Sequence, residues 1–158
     1  MPRAASTKPK KPPPTGRLLF EPVKAQARYT KSVIVAFSGG KDSVVTLDLC
    51  CRYFENVTAF FMYQVPGLSF QEASIRWAEA KYGINVIRLP HFELSDWFRL
   101  GLFRHCDFSV PPVGIQDIYA YVRRHTGYHV IAAGERIADS IWRRAMLKHP
   151  GHLDTLRG

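Results

Sequence analysis

Six consecutive residues, Ser38-Gly39-Gly40-Lys41-Asp42-Ser43, concentrate the chemistry of anion binding in this sequence. They follow an apolar run, Ser32-Val33-Ile34-Val35-Ala36-Phe37, and open a segment whose apolar residues have helical spacing. At such a strand-to-helix junction the first backbone N–H groups of the helix have no intrahelical acceptor, and the helix dipole adds partial positive charge. A phosphate is stabilised there. Gly39 and Gly40 let the backbone approach a ligand closely and take unusual φ angles. Ser38 and Ser43 add hydroxyl donors, and Lys41 adds a full positive charge. Asp42 suits an anion site only if it caps the helix or holds a Mg²⁺ that the phosphates share. A Walker A loop is excluded on spacing, because G-x-x-x-x-G-K-[ST] would need glycine at Val35 and Ser/Thr at Asp42. A bare Gly-Gly turn is the bland alternative. The fit of all six positions and their context favours the phosphate-binding reading.

The elements around this loop alternate. A helix is expected from about Asp42 to Phe54, with Val44, Leu47 and Cys51 on its apolar stripe and Val45 and Leu49 beside it. Val57 to Tyr63 reads as a second strand, rich in aromatic and β-branched residues. Ser69-Phe70-Gln71-Glu72 fits a capping box opening a helix that runs to Tyr82, with Gly83 ending it. Ile84 to Leu89 is a third strand, and Ser95 to about Phe103 a short helix. Ile115 to His125 is a further helix stopped by Gly127, Tyr128 to Ala133 a fourth strand, and Asp139 to Lys148 a last helix. Strands alternating with helices predict an α/β fold, a doubly wound, Rossmann-like parallel sheet. Ligands then sit beyond the carboxyl ends of the strands, where strand order reverses.

Ser-Gly-Gly-Lys-Asp-Ser after a first strand resembles the PP-loop of the ATP pyrophosphatase superfamily, and most of all its phosphoadenosine phosphosulfate (PAPS) reductase-like group. Lys81-Tyr82-Gly83-Ile84-Asn85-Val86 is similar to the passage before that group's third strand. Gly134-Glu135-Arg136-Ile137-Ala138-Asp139-Ser140, with Arg143-Arg144, resembles its second phosphate-side motif. Together these span roughly residues 32–147. The resemblance implies the adenine nucleotide alpha hydrolase-like fold and a ligand that is ATP or a PAPS- or APS-like nucleotide with Mg²⁺. It also implies cleavage between the α and β phosphates, with adenylyl transfer to an unidentified acceptor. By the same resemblance, Ser38, Gly39, Gly40, Lys41, Asp42 and Ser43 grip the pyrophosphate. Backbone at Ala36, Phe37, Met62 and Tyr63 holds adenine. Gly134, Glu135 and Arg136 face the ligand from the fourth strand. Lys41, Arg136 and Arg144 are the candidate catalytic residues, and Asp42 the candidate metal ligand.

The departures from that group define the rival readings. PAPS reductases carry a catalytic cysteine in a C-terminal tail, whereas nothing after Arg144 here is cysteine. The tRNA-thiolating relatives use paired cysteines at a spacing that Cys50-Cys51 lack. The chain also stops soon after the second motif, so a minimal form, a fragment or one part of a larger complex or homo-oligomer is expected. The rivals are a sulfonucleotide reductase, a catalytically silent nucleotide-binding subunit, and a nucleic-acid-binding protein.

Composition sets the outer bounds. The chain has 158 residues and is 46% hydrophobic, which suits one domain with a real core. No run of about 18 apolar residues points to a membrane span, and no secretory signal is expected, so a cytoplasmic location is the default. The net charge is +9, but residues 1–31 hold eight Lys/Arg against Glu21 alone. Residues 1–16 are dominated by proline and lysine and are expected to be a disordered tail, either solubilising or a weak nucleic-acid arm. Residues 17–158 form the expected nucleotide-binding domain. Cys50 and Cys51 are expected to be buried and inert, and Cys106 lies in a polar loop. Trp77, Trp97 and Trp142 read as core or half-buried residues. A zinc site at His149 and His152 is disfavoured against solvated loop residues.

Overall fold

The computed structural model describes residues 17–102 and 105–134. The tail at 1–16 and the helix expected at Asp139–Lys148 lie outside them. The apolar run before the loop is β1, Ser32–Ala36. Val33, Ile34 and Val35 are all fully buried, so side chains pointing to both faces of the strand are covered. This is the signature of a central parallel strand. β2, Asn56–Tyr63, pairs with β1 in parallel, from Ser32 opposite Asn56 to Ala36 opposite Phe60. β3, Val86–Pro90, adds to the far side of β2, and β4, Ile131–Ala133, adds to the free side of β1. All pairings are parallel and the order is β3-β2-β1-β4. Strand order therefore reverses between β1 and β4.

Helices cover both faces. α1 (Arg17–Tyr29), α2 (Lys41–Tyr53) and α3 (Ser69–Tyr82) lie on one. There Leu47, Cys50, Ile75 and Ala78 pack on Val33, Val35, Phe37, Ala59 and Phe61. α5 (Ile115–Thr126) covers the other, with Ile118 and Val122 on Ile34 and Phe60. α4 (Glu93–Arg99) precedes it, and the buried Ser95 ties α4 to Val113 through hydrogen bonds in both directions. The sheet is doubly wound, as expected. Gly83 and Gly127 end α3 and α5 in left-handed conformation, also as expected.

Several local expectations are corrected. α1 is a helix where the sequence suggested no element; Val23 and Ala27, one turn apart, pack against the core although Pro22 interrupts the pattern. The capping box at Ser69 does not form. Leu68 is the N-cap without a side-chain bond, and the Glu72 carboxylate is taken instead by Arg88 of β3. The buried stripe of α2 runs through Ser43, Leu47 and Cys50, with Leu49 beside it, and leaves Val45 about half exposed. Trp77 is 44% exposed, with the Lys81 ammonium over its ring. β3 and β4 begin two to three residues later than expected, and α4 starts and ends earlier.

Arg88 clamps α3 to the edge of the sheet. Its Nε lies 3.3 Å from both oxygens of Glu72, and its Nη1 3.0 Å from Glu79 Oε1. The hydrogen bond from Arg88 holds the Glu79 carboxyl below its ordinary range, against the opposing effect of burial. A carboxyl lowered in the fold stabilises it above the unfolded pKa, and that stabilisation is lost as pH falls through the folded value. Arg88→Met is therefore expected to cost about 1 kcal/mol at pH 7, a few degrees in Tm. The gap to wild type should close as pH drops well below the ordinary carboxyl value of 4.5. Thermal melts followed by circular dichroism across pH check both.

Candidate nucleotide-binding site

The loop leaves the end of β1 at the middle of the sheet. Phe37 N–H still donates to Phe60 O at 2.9 Å, so β2 holds the strand until the turn begins. Gly39 then takes φ +75°, the left-handed region that favours glycine, and Gly40 is the N-cap of α2 in extended conformation. No side chain caps this N-terminus.

Ser43 organises the turn from inside. It is 5% exposed, and its hydroxyl donates to Gly40 O at 2.8 Å. The same oxygen accepts from Ser38 N–H and from the Ser38 hydroxyl, each at 3.2 Å. Gly40 N–H donates to Ser38 Oγ at 3.4 Å. The two serines thus brace the loop against itself, and Ser43 is more a structural pin than an exposed ligand donor. Thr46 adds a hydrogen bond to Asp42 O one turn on.

The charged residues lie outward. The Lys41 side chain is 75% exposed, and its ammonium is 3.9 Å from Asp42 Oδ2. That distance and exposure make a weak ion pair, which leaves the ammonium mobile enough to meet an incoming anion. Asp42 is the second helical residue, beyond the N-cap, so it does not serve as the cap that the sequence allowed. Among the described residues no group of three or more His, Cys, Asp or Glu side chains is placed to hold a metal ion.

β4 delivers Gly134 to the same place. A Cβ built on Gly134 would lie 2.7 Å from both the carbonyl carbon and the oxygen of Asp42, and 2.9 Å from Ser43 N. The strand end therefore presses directly on the first turn of α2, and only a glycine fits. From α3, the Ser74 hydroxyl lies 2.9 Å from where a Gly39 Cβ would stand. The sequence reading missed Ser74. Its signal is faint: it stands four residues before the buried Ala78 on the same helix.

Ala36 and Phe37 border the loop on β1, while Met62 and Tyr63 end β2. Their side chains belong to the core. Phe37 and Tyr63 pack on the α2 side, Ala36 and Met62 on the α5 side, so only backbone faces the strand ends. The Tyr63 carbonyl already accepts His91 N–H at 2.9 Å. Glu135, Arg136 and Arg144 lie outside the described residues, as do Trp142, His149 and His152. Two concavities of the described surface lie elsewhere. One, about 300 Å³, opens at the amino ends of the strands near Asn56 and Tyr128; the other, about 400 Å³, lies between α1, α2 and α3. Neither contains a loop residue, and convergent phosphate-binding chemistry decides for the loop over either hollow.

Of the two cysteines expected to be buried, Cys50 is, whereas Cys51 is only partly covered. Cys50 is fully buried, and burial, with a smaller push from Cys51, raises its thiol to about 12. Burial and the nearby Asp48 carboxylate raise Cys51 to about 11. Cys106 is exposed.

Gly134→Ala is expected to destabilise the fold by about 1–3 kcal/mol, because the obstacle is backbone and cannot rotate aside. Chemical denaturation checks the loss, and Gly114→Ala, at a φ of −108° with only an ordinary 3.7 Å contact to Asp117, serves as the comparison for glycine replacement alone.

Comparison with known proteins finds a family match over the segment that carries the loop. Residues 32–108 match the phosphoadenosine phosphosulfate reductase domain family. An uncharacterized protein of Methanocaldococcus jannaschii is 42% identical over 65 residues, which are 39% of this chain and 13% of that protein. A solved structure from the same organism, described as a predicted subunit of tRNA methyltransferase, aligns at 22% identity with a TM-score of 0.38, over 70% of this chain and 55% of that one. The chain thus spans only a small part of the first relative and about half of the second. The segment 32–108, which carries the loop, β1 to β3 and the helices between them, thus matches the phosphoadenosine phosphosulfate reductase domain family, which is part of the PP-loop ATP pyrophosphatase superfamily.

Proposed function

We propose that this chain binds ATP with Mg²⁺ at the Ser38–Ser43 loop and directs cleavage between the α and β phosphates, passing the adenylyl group to an acceptor. The observation that carries the reading is the uncapped N-terminus of α2, set at the carboxyl end of β1 where strand order reverses, with Gly39 already left-handed. Such a position favours a phosphate through backbone N–H groups and the helix dipole. In the proposed step an acceptor nucleophile attacks the α-phosphorus. The bond from that phosphorus to the bridging oxygen breaks, and pyrophosphate leaves with the electron pair.

The loop amides and Lys41 would hold the leaving pyrophosphate, and Arg136 or Arg144 would neutralise charge building around the α-phosphate. Mg²⁺ fits as a shared ion rather than a caged one, because one nearby carboxylate, Asp42, is the usual protein share beside phosphates and water. It would supply charge neutralisation on the phosphates. The nucleotide's adenine would lie against the strand ends at Ala36, Phe37, Met62 and Tyr63, and Glu135 would complete the β4 side.

α-Labelled ATP with Mg²⁺, alone and with cell extract, tests the reading. Labelled AMP or an adenylated adduct is the expected product, lost in Lys41→Ala and reduced in Arg136→Ala. ATP affinity should fall about 10- to 100-fold in Lys41→Ala, the scale of one hydrogen bond to a charged partner. ADP as the main product would exclude α–β cleavage, and ATP binding with no product under any condition would favour a silent nucleotide-binding subunit.

The family match favours a second reading, in which the same loop takes a sulfonucleotide such as PAPS. Reduction needs a thiolate that attacks sulfur, and raised thiols are poorly ionised at neutral pH. Brief alkylation of the native protein at pH 8, read by mass spectrometry, is therefore expected to modify Cys106 and to spare Cys50 and Cys51. With thioredoxin as the dithiol reductant, sulfite release from PAPS that disappears in Cys106→Ser would establish the sulfonucleotide reading over the adenylyl-transfer one.

A further inference from the structure

Ser74 stands out among the polar side chains near the loop. Its Oγ lies over the α-carbon of Gly39, 2.9 Å from the site of a Cβ, and its own Cβ is 3.7 Å from that site. Among the described residues the Ser74 hydroxyl makes no hydrogen bond, whereas Ser38 and Ser43 spend theirs on each other and on Gly40. A half-buried hydroxyl held beside a phosphate-binding turn without a partner is available to donate to the ligand. Its position is fixed. Ile75 and Ala78, on the same side of α3, are buried in the core, and Glu72 and Glu79 are held by Arg88.

We propose that Ser74 is a further ligand-binding residue: its hydroxyl donates to the phosphate that the loop holds over Gly39, and its bulk keeps position 39 a glycine. The inference rests on the nucleotide-binding reading above and extends it from the loop to α3. The bound phosphate is then gripped from two elements, the turn before α2 and the side of α3. A ligand with terminal phosphates gains from Ser74, and one without them does not.

Calorimetric titration of the whole chain with inorganic pyrophosphate, ATP and adenosine, each with Mg²⁺, tests this in wild type, Ser74→Ala and Lys41→Ala. Ser74→Ala is expected to weaken pyrophosphate and ATP about tenfold while leaving Tm and adenosine affinity unchanged. Lys41→Ala should weaken the same two ligands. If Lys41→Ala weakens them and Ser74→Ala stays within twofold of wild type, the role of Ser74 is overturned while the loop assignment stands. If Lys41→Ala binds pyrophosphate and ATP like wild type, the loop assignment fails and takes the Ser74 proposal with it. A ligand-free cycle tests the steric half: Gly39→Ala should lower Tm less in the Ser74→Ala background than in wild type. Equal losses in the two backgrounds would overturn the contact.

Discussion

A strand buried on both faces constrains everything built around it. Val33, Ile34 and Val35 meet no solvent, and their backbone groups pair with β2 on one side and β4 on the other. The chain leaving such a strand has to climb out of the sheet at its centre and start a covering helix within a few residues. That places a helix N-terminus, with its unsatisfied N–H groups, in the cleft between two neighbouring strand ends. The phosphate-binding character proposed for the Ser38–Ser43 turn is thus inherited from the burial of β1, and the serines and glycines refine it. Ser43 shows the refinement: a hydroxyl inside the turn satisfies Ser38 N–H and Gly40 O, so the outward surface is left to the helix amides and Lys41.

The second constraint comes from β4. It pairs with β1 over only three residues, yet its end at Gly134 touches the backbone of Asp42 and Ser43. The order β3-β2-β1-β4 makes this the point where the winding of the sheet reverses. Two chain segments about a hundred residues apart in sequence are brought into van der Waals contact there, with no side chain between them. The close approach matters chemically because it sets the width of the cleft that a nucleotide's phosphates would enter.

The parts of this arrangement legible in the sequence were those set by short-range patterning. The unbroken apolar run of β1, the Gly-Gly junction, and the glycines ending α3 and α5 each announce a local backbone state. What depended on distant partners was read less well. Glu72 looked like half of a capping box until Arg88, sixteen residues on, proved the stronger partner for its carboxylate. Val45 and Leu49 looked equivalent beside the α2 stripe, but the fold buries Leu49 and leaves Val45 about half exposed. α1 was hidden by Pro22 and by the charged residues around it, and its apolar positions acquire meaning only against the core they cover. Ser74 carried no motif, because its significance lies in a contact across the fold with Gly39.

The brevity of β4 has a consequence for how firmly the molecule is held together in different places. β2 is bonded along both edges, to β1 and to β3, whereas the described pairing of β4 covers three residues on one edge. Amide hydrogens of the β1–β2 centre belong to the slowest-opening unit of such a sheet, and those of β4 to a unit that opens at lower cost. Among the described residues, one wall of the proposed nucleotide cleft is therefore made from the most extensively paired part of the sheet and the opposite wall from a more briefly paired one. A ligand gripping both walls draws the looser unit into the cooperativity of the tighter one, so slowed exchange at Ile131 to Ala133 is where the molecule would register occupancy of the cleft.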